Sequence, residues 1–150
     1  MEKAETPKTL IDIGCGTGQA TFYLSSKVDT VVGMDPSAGQ VNEASLKAEK
    51  LDTPKRKLRF VKGGAEDLTV SGLAPGSVDM ITAAQCAHWF DLPVFYEQAK
   101  AIMSPGGTLA MWCYTAPTIP GSPVVQAAFS KVRSVLRQLS ARNSIFGFNK

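Results

Sequence analysis

Apolar residues along the chain fall into short continuous runs that alternate with longer stretches where they recur every three or four positions. Short runs rich in branched residues predict strands, the longer stretches predict helices, and their alternation predicts a parallel sheet covered by helices. The first strand covers residues 9–13 and ends in a glycine-rich turn, followed by a helix through Ala20, Tyr23 and Leu24. Residues 29–34 form strand two, uninterrupted and β-branched as befits a strand buried on both faces. Ser37 caps a second helix whose inner face carries Val41, Ala44 and Ala48. Strand three, residues 58–61, follows a basic loop containing proline, and strand four covers residues 78–84. Asp91 then caps a helix with Pro93 in its first turn and Phe95, Ala99 and Ile102 along one side. Ser104-Pro105-Gly106-Gly107 is expected to stop that helix, with strand five over residues 108–114. Ser122-Pro123 opens a last helix, where Val125, Phe129, Val132, Leu136 and Leu139 recur at helical spacing while Lys131, Arg133 and Arg137 lie elsewhere. Residues 143–150 are either a fraying tail or the start of another strand.

A chain of 150 residues suits one domain, with its core over residues 9–142. Its 44% hydrophobic and 19% charged content is that of an ordinary globular protein, not of a disordered or membrane one. A net charge of +3 demands no polyanionic partner. No segment approaches the run of about 20 apolar residues that a membrane helix requires, and the opening residues Met1-Glu2-Lys3-Ala4-Glu5 carry no signal-like apolar stretch. Cys15, Cys86 and Cys113 lack CxxC spacing, so neither a disulfide frame nor a metal site is implied, and a reducing, cytoplasmic setting is expected.

The most informative stretch is Asp12-Ile13-Gly14-Cys15-Gly16-Thr17-Gly18, between the first strand and the first helix. Such a turn presents backbone N–H groups and the positive helix end at the carboxyl edge of the sheet, and its glycines admit a ligand closely. A dinucleotide fingerprint would require a final glycine where Gln19 stands. Asp12 would repel a pyrophosphate but attract the ammonium of S-adenosylmethionine (SAM), directly or through water. Asp35, at the end of strand two, can accept both hydroxyls of a ribose; otherwise it is a helix N-terminal acid beside Pro36 and Ser37. Pro36 is expected against an adenine face. In Gly63-Gly64-Ala65-Glu66-Asp67, backbone groups near Ala65 or the Glu66 carboxylate can meet the adenine amino group, unless the segment is simply a solvated acidic turn.

With these residues placed, the chain resembles the class I SAM-dependent methyltransferases, nearest the fungal branch of trans-aconitate and cantharidin-resistance-type enzymes. The resemblance rests on the glycine loop, Gly33-Met34-Asp35-Pro36-Ser37, Ala65-Glu66-Asp67 and Val78-Asp79-Met80-Ile81-Thr82. It extends through Ala84-Gln85-Cys86-Ala87-His88-Trp89-Phe90-Asp91 and Ser104-Pro105-Gly106-Gly107-Thr108-Leu109, covering residues 9–117. It implies a Rossmann-like three-layer αβα sandwich with a mainly parallel sheet in the order 3-2-1-4-5. It further implies SAM as cofactor, with Asp12, Gly14, Cys15, Gly16 and Gly18 at the methionine end, Asp35 and Pro36 at the ribose and adenine, Ala65 and Glu66 at the adenine, and Gln85 beside them. Two departures stand out. The family usually has helices ahead of the first strand and two strands after the fifth helix, so the chain is expected to be a shortened domain without strands six and seven. Strand five would then be an exposed apolar edge, through which, or through Ile145 to Phe148 in the tail, a homodimer is expected.

Methyl transfer is an in-line displacement in which the protein chiefly aligns nucleophile and methyl at about 3 Å. The segment from Gln85 to Phe90 is expected beside the ligand crevice. His88, the only histidine, either binds or deprotonates an acceptor or is a core histidine satisfied by backbone. Trp89 and Phe90 either wall the methyl site or anchor the next helix, with packing the expected role for Phe90. Cys86 lacks a partner that would activate it as a nucleophile. By resemblance the expected reaction is O-methylation of a small carboxylic acid. The alternatives are a SAM-binding module without turnover, an NAD-dependent oxidoreductase disfavoured by Gln19 and Asp12, and an RNA methyltransferase. The last rests only on Lys55, Arg56, Lys57, Arg59 and Lys62; without interleaved aromatics, no nucleic-acid partner is expected.

Overall fold

The computed structural model describes residues 7–51, 57–113 and 122–142. The expected tail strand, the tail contact at Ile145 to Phe148, and Tyr114, Lys55 and Arg56 lie outside them. Five strands form one sheet: β1 (Thr9–Ile13), β2 (Thr30–Asp35), β3 (Lys57–Lys62), β4 (Val78–Ala84) and β5 (Met103–Trp112). Their order is β3-β2-β1-β4-β5 and every pairing is parallel. Between them run α1 (Gln19–Ser25), α2 (Ala38–Glu49) and α3 (Leu92–Ile102), with short 3₁₀ turns at Leu68–Ser71 and Ala87–Trp89. The chain divides into two units, Met1–Tyr114, which holds the sheet, and Thr115–Lys150, which holds α4 (Pro123–Arg142).

Alternation of side chains along the strands produces the three layers. Ile11, Ile13, Val32, Met34 and Ile81 point to one face, where Phe95, Ala99 and Ile102 of α3 cover them. Leu10 and Val31 point to the other face with Leu24 of α1, while Phe60 meets Val41, Ala44 and Ala48 of α2. The expected inner faces of α2 and α3 are therefore the observed ones. Ser37 accepts from the Gln40 N–H at the start of α2, and Asp91 accepts from the Val94 N–H at the start of α3, so both predicted caps form.

The expected stop at residues 104–107 is instead an excursion within β5. Pairing with β4 passes from Val78↔Met103 to Met80↔Thr108, so the four residues between bulge opposite Asp79 alone. Pro105 has no N–H to give the ladder, and the Ser104 hydroxyl fastens the bulge by donating to Asp79 Oδ1 at 2.9 Å. The other Asp79 oxygen, Oδ2, accepts the backbone N–H groups of Lys8 (2.9 Å) and Thr9 (3.0 Å), joining the starts of β1, β4 and β5. These bonds, the Lys8 amide foremost, hold the Asp79 carboxyl below its ordinary range. The sheet's two edges differ: β3 bears Lys57, Arg59 and Lys62, whereas β5 ends in the exposed Met111 and Trp112. Among the described residues no helix is long and apolar enough to cross a membrane.

Candidate functional site

In the order 3-2-1-4-5 successive connections leave in opposite directions from β1 and β4, and the carboxyl ends of those strands are where such a sheet holds its ligand crevice. The bend after β1 forms its floor. Gly14, Gly16 and Gly18 all have positive φ, at 65°, 55° and 92°. Gly14 has a second reason to be glycine: a Cβ there would stand 2.7 Å from the Cβ and Sγ of Cys86. At Gly16 a Cβ would meet nothing nearer than Gln19 Oε1 at 3.7 Å, so the bend is open on that side.

Several of the amides expected to face a ligand are engaged within the protein. The Cys15 N–H donates to Met34 O at 3.0 Å and the Gly18 N–H to Cys15 O at 2.9 Å. The Gly16 N–H donates to Asp35 Oδ2 at 2.9 Å, and Asp35 Oδ1 accepts from the Ser37 N–H at the same distance. Asp35 thus ties the end of β2 to the glycine bend. A carboxylate oxygen accepts more than one hydrogen bond, so each still has capacity for a ligand hydroxyl. Pro36 beside it is exposed.

Asp12 occupies a different position from the one expected. Its side chain is only 1% exposed, on the α1 side of the sheet, where Oδ2 accepts from the Thr21 hydroxyl (2.6 Å) and Oδ1 from the Thr82 hydroxyl (2.7 Å). Both carboxylate oxygens are thus engaged by threonine hydroxyls, and the group lies buried rather than at the surface of the bend. Burial pushes its pKa above the ordinary carboxylate value, opposed by the two hydroxyl bonds. Thr21 and Thr82 escaped the sequence reading. The available signal was the polar Thr82 in an otherwise apolar strand, in register with Asp12.

Two thiols report the local field. Cys15 is pushed up to about 12, first by burial and then by the charges of Asp12 and Asp35. Cys86 is pushed up to about 11 by burial and the same two carboxylates. Cys86 donates to Ile13 O at 3.1 Å, an inert structural thiol as its lack of an activating partner implied.

The side walls come from the segments after β3 and β4. Ala65 is buried. Glu66 Oε1 accepts from the Asp91 N–H at 3.0 Å, fastening the start of α3, and Oε2 lies 2.9 Å from where a Cβ on Gly64 would stand. The acidic turn is therefore tied to α3 rather than merely solvated. After β4, Gln85 is the one non-glycine residue of positive φ among the described residues, at 63°. A glutamine held in that region costs about 1–3 kcal/mol. Its backbone N–H donates to Trp112 O at 2.9 Å, yet its buried side-chain Nε2 has no hydrogen-bond partner among the described residues.

The next three side chains separate. Phe90 packs on the core, its ring centroid 5.1 Å from that of Phe95, as expected. Trp89 is 69% exposed, so it is not a core anchor. His88 is exposed, with its ring centroid 4.8 Å from that of Trp89, which removes the reading as a core histidine. The strand topology brings Gly14, Cys15, Gly16, Gly18, Asp35 and Gln85 to one end of the sheet; Ala65 and Glu66 follow β3 at that same end.

The donor set and field fit a cationic nucleoside: hydroxyl acceptors at Asp35, an open glycine bend, and two carboxylates that disfavour added negative charge. Known proteins agree. A family profile described as a methyltransferase domain matches residues 11–111, and the chain belongs to that family of SAM-dependent methyltransferases. It is 38% identical over 120 residues to a protein of Saccharomyces cerevisiae named as a probable S-adenosylmethionine-dependent methyltransferase, covering 79% of this chain and 40% of that protein. It is 31% identical over 105 residues to the trans-aconitate 2-methyltransferase of Deinococcus radiodurans, covering 68% of this chain and 36% of that one. The solved structure of the YcgJ protein from Bacillus subtilis superposes with a TM-score of 0.64 at 26% identity, over 79% of this chain and 49% of that one. The chain thus spans less than half the length of these relatives.

Proposed function

We propose that the chain binds SAM in the crevice at the ends of β1 and β4 and serves transfer of its methyl group to a small carboxylic acid. The observation that carries this reading is the pair of carboxylates, Asp12 buried under the glycine bend and Asp35 bonded to it through the Gly16 N–H, which give the site a negative field. Such a field attracts the sulfonium and ammonium of SAM and repels a pyrophosphate.

In this reading the free acceptor capacity of Asp35 takes the ribose hydroxyls. Pro36 and Ala65 flank the adenine, and Glu66 Oε2 or the backbone near Ala65 takes its amino group. Gly14 to Gly18 line the methionine end, with Gln85 beside them. When bound, SAM supplies an electrophilic methyl on sulfur. The chain's own contribution is to hold that methyl and the incoming oxygen in line and to exclude water. A carboxylate acceptor is already ionised at neutral pH, so no residue has to remove its proton. The exposed His88, standing on Trp89, is suited to hold the acid. An acid as acceptor is supported by the sequence resemblance and by the name of the Deinococcus relative.

Calorimetry with SAM, S-adenosylhomocysteine and NAD tests the cofactor; tighter binding of NAD would overturn the assignment. Because the chain spans 40% of its yeast relative, binding and transfer are separate outcomes. Transfer of labelled methyl to small polycarboxylates tests the second, and binding without transfer to any acid would leave a SAM-binding module.

A further inference from the structure

Gln85 breaks two local rules at once. It holds a left-handed backbone conformation that favours Gly or Asn, and it buries an amide nitrogen without a partner among the described residues. A glycine would relieve the backbone, and an apolar side chain would remove the orphaned donor. The position carries neither. Its surroundings keep the residue in place: its N–H is bonded to Trp112 O of β5, and the adjacent Cys86 donates to Ile13 O and packs on Gly14. The residue is therefore pinned on one side to β5 and on the other to the glycine bend. Violations of this kind concentrate where a chain meets a ligand.

The rest of the crevice indicates what this donor is for. An amino-acid nucleoside brings an α-carboxylate as well as an ammonium. The two acids favour the ammonium and disfavour the carboxylate. Three backbone amides of the bend, on Cys15, Gly16 and Gly18, already donate to Met34 O, Asp35 and Cys15 O. That leaves few donors in the bend for a carboxylate, and an uncharged amide from another element supplies one without cancelling the field that holds the cation.

Resting on the SAM reading above, we infer that the Gln85 side-chain amide is the donor to the α-carboxylate at the methionine end of the cofactor. Rotation about its side-chain torsions brings Nε2 to the ligand while the backbone stays pinned. Binding then satisfies a buried group that has no partner among the described residues.

The test compares S-adenosylhomocysteine with 5′-methylthioadenosine, which keeps the nucleoside and sulfur but lacks the amino acid. Calorimetry is run on the wild-type chain and on Gln85→Gly and Gln85→Glu, with thermal unfolding of each. Gln85→Gly removes the donor and relieves the backbone; Gln85→Glu keeps the shape and replaces the donor with a repelling oxygen. Both variants are expected to weaken S-adenosylhomocysteine roughly 10-fold or more, as loss of a hydrogen bond to a charged group does, and to leave 5′-methylthioadenosine unchanged. Gln85→Gly is expected to melt no lower than wild type, a combination of kept stability and lost affinity that a structural role does not give. Should Gln85→Gly unfold, the comparison rests on Gln85→Glu. Unchanged affinity for S-adenosylhomocysteine, or equal losses for both ligands, would overturn the assignment. Failure of the wild-type chain to bind either ligand would instead sink the cofactor reading itself.

Discussion

Replacing Asp35 by alanine tests the cofactor site most directly, because its carboxylate has both an internal and an external role. Internally it accepts the Gly16 and Ser37 N–H groups, each at 2.9 Å. Ser37 is exposed and Gly16 only half-buried, so water replaces much of what these amides lose. A stability loss of about 1–3 kcal/mol follows, the usual range for hydrogen bonds to a charged acceptor. Externally, the lost bonds to two ribose hydroxyls weaken SAM or S-adenosylhomocysteine by a further 1–3 kcal/mol or so, roughly 5- to 150-fold in Kd. Calorimetry at a temperature where the variant remains folded measures the second effect apart from the first. A 2′-deoxy analogue of S-adenosylhomocysteine then separates ribose contact from loop disorder. If Asp35 binds the hydroxyls, the analogue and the substitution remove the same interaction and their losses do not add. Unchanged affinity in Asp35→Ala, or losses that add fully, would refute the ribose role and leave Asp35 as a fastener of the bend.

Four further outcomes are expected. Gly14→Ala should lower the unfolding free energy by about 1–3 kcal/mol, since a side chain there is strained at positive φ and meets Cys86 at 2.7 Å; an unchanged denaturant midpoint would contradict it. Iodoacetamide at neutral pH should label the exposed Cys113 first and spare Cys15 and Cys86 until the chain unfolds, as mass mapping would show. The same two thiols make stability depend on pH: with folded values of about 12 and about 11 above an ordinary 9.0, the folded state holds its protons longer. Stability is then complete below pH 9 or so and falls as pH rises through about 11, a decline that Cys86→Ala should reduce; an equal decline in the variant would count against it. The apolar end of β5, with Met111 and Trp112 exposed, should drive self-association that sedimentation detects, and a monodisperse monomer at high concentration would argue against it.

Periodicity was a sound guide wherever one element's own residues determined its structure. Ser37 and Asp91 cap their helices through neighbours three residues away, and Phe95, Ala99 and Ile102 share one helix face by spacing alone. What depended on distant partners was hidden. The excursion at residues 104–107 was read as a helix stop because Pro and Gly end helices, and only pairing with Asp79 explains why the strand resumes. Asp12 was read as facing a ligand because its neighbours in sequence are glycines, whereas its own partners come from α1 and β4. Glu66 was read from its loop, although it reaches Asp91, 25 residues away. Gln85 was placed beside the cofactor by resemblance alone, since neither a backbone angle nor an orphaned amide can be seen in a residue's type.

The Asp79 junction has a consequence for engineering. One carboxylate receives the amides of Lys8 and Thr9, so the start of β1 is fastened to a residue some 70 positions away. Replacing Asp79 by alanine would therefore release both amides and let β1 fray from its first residue.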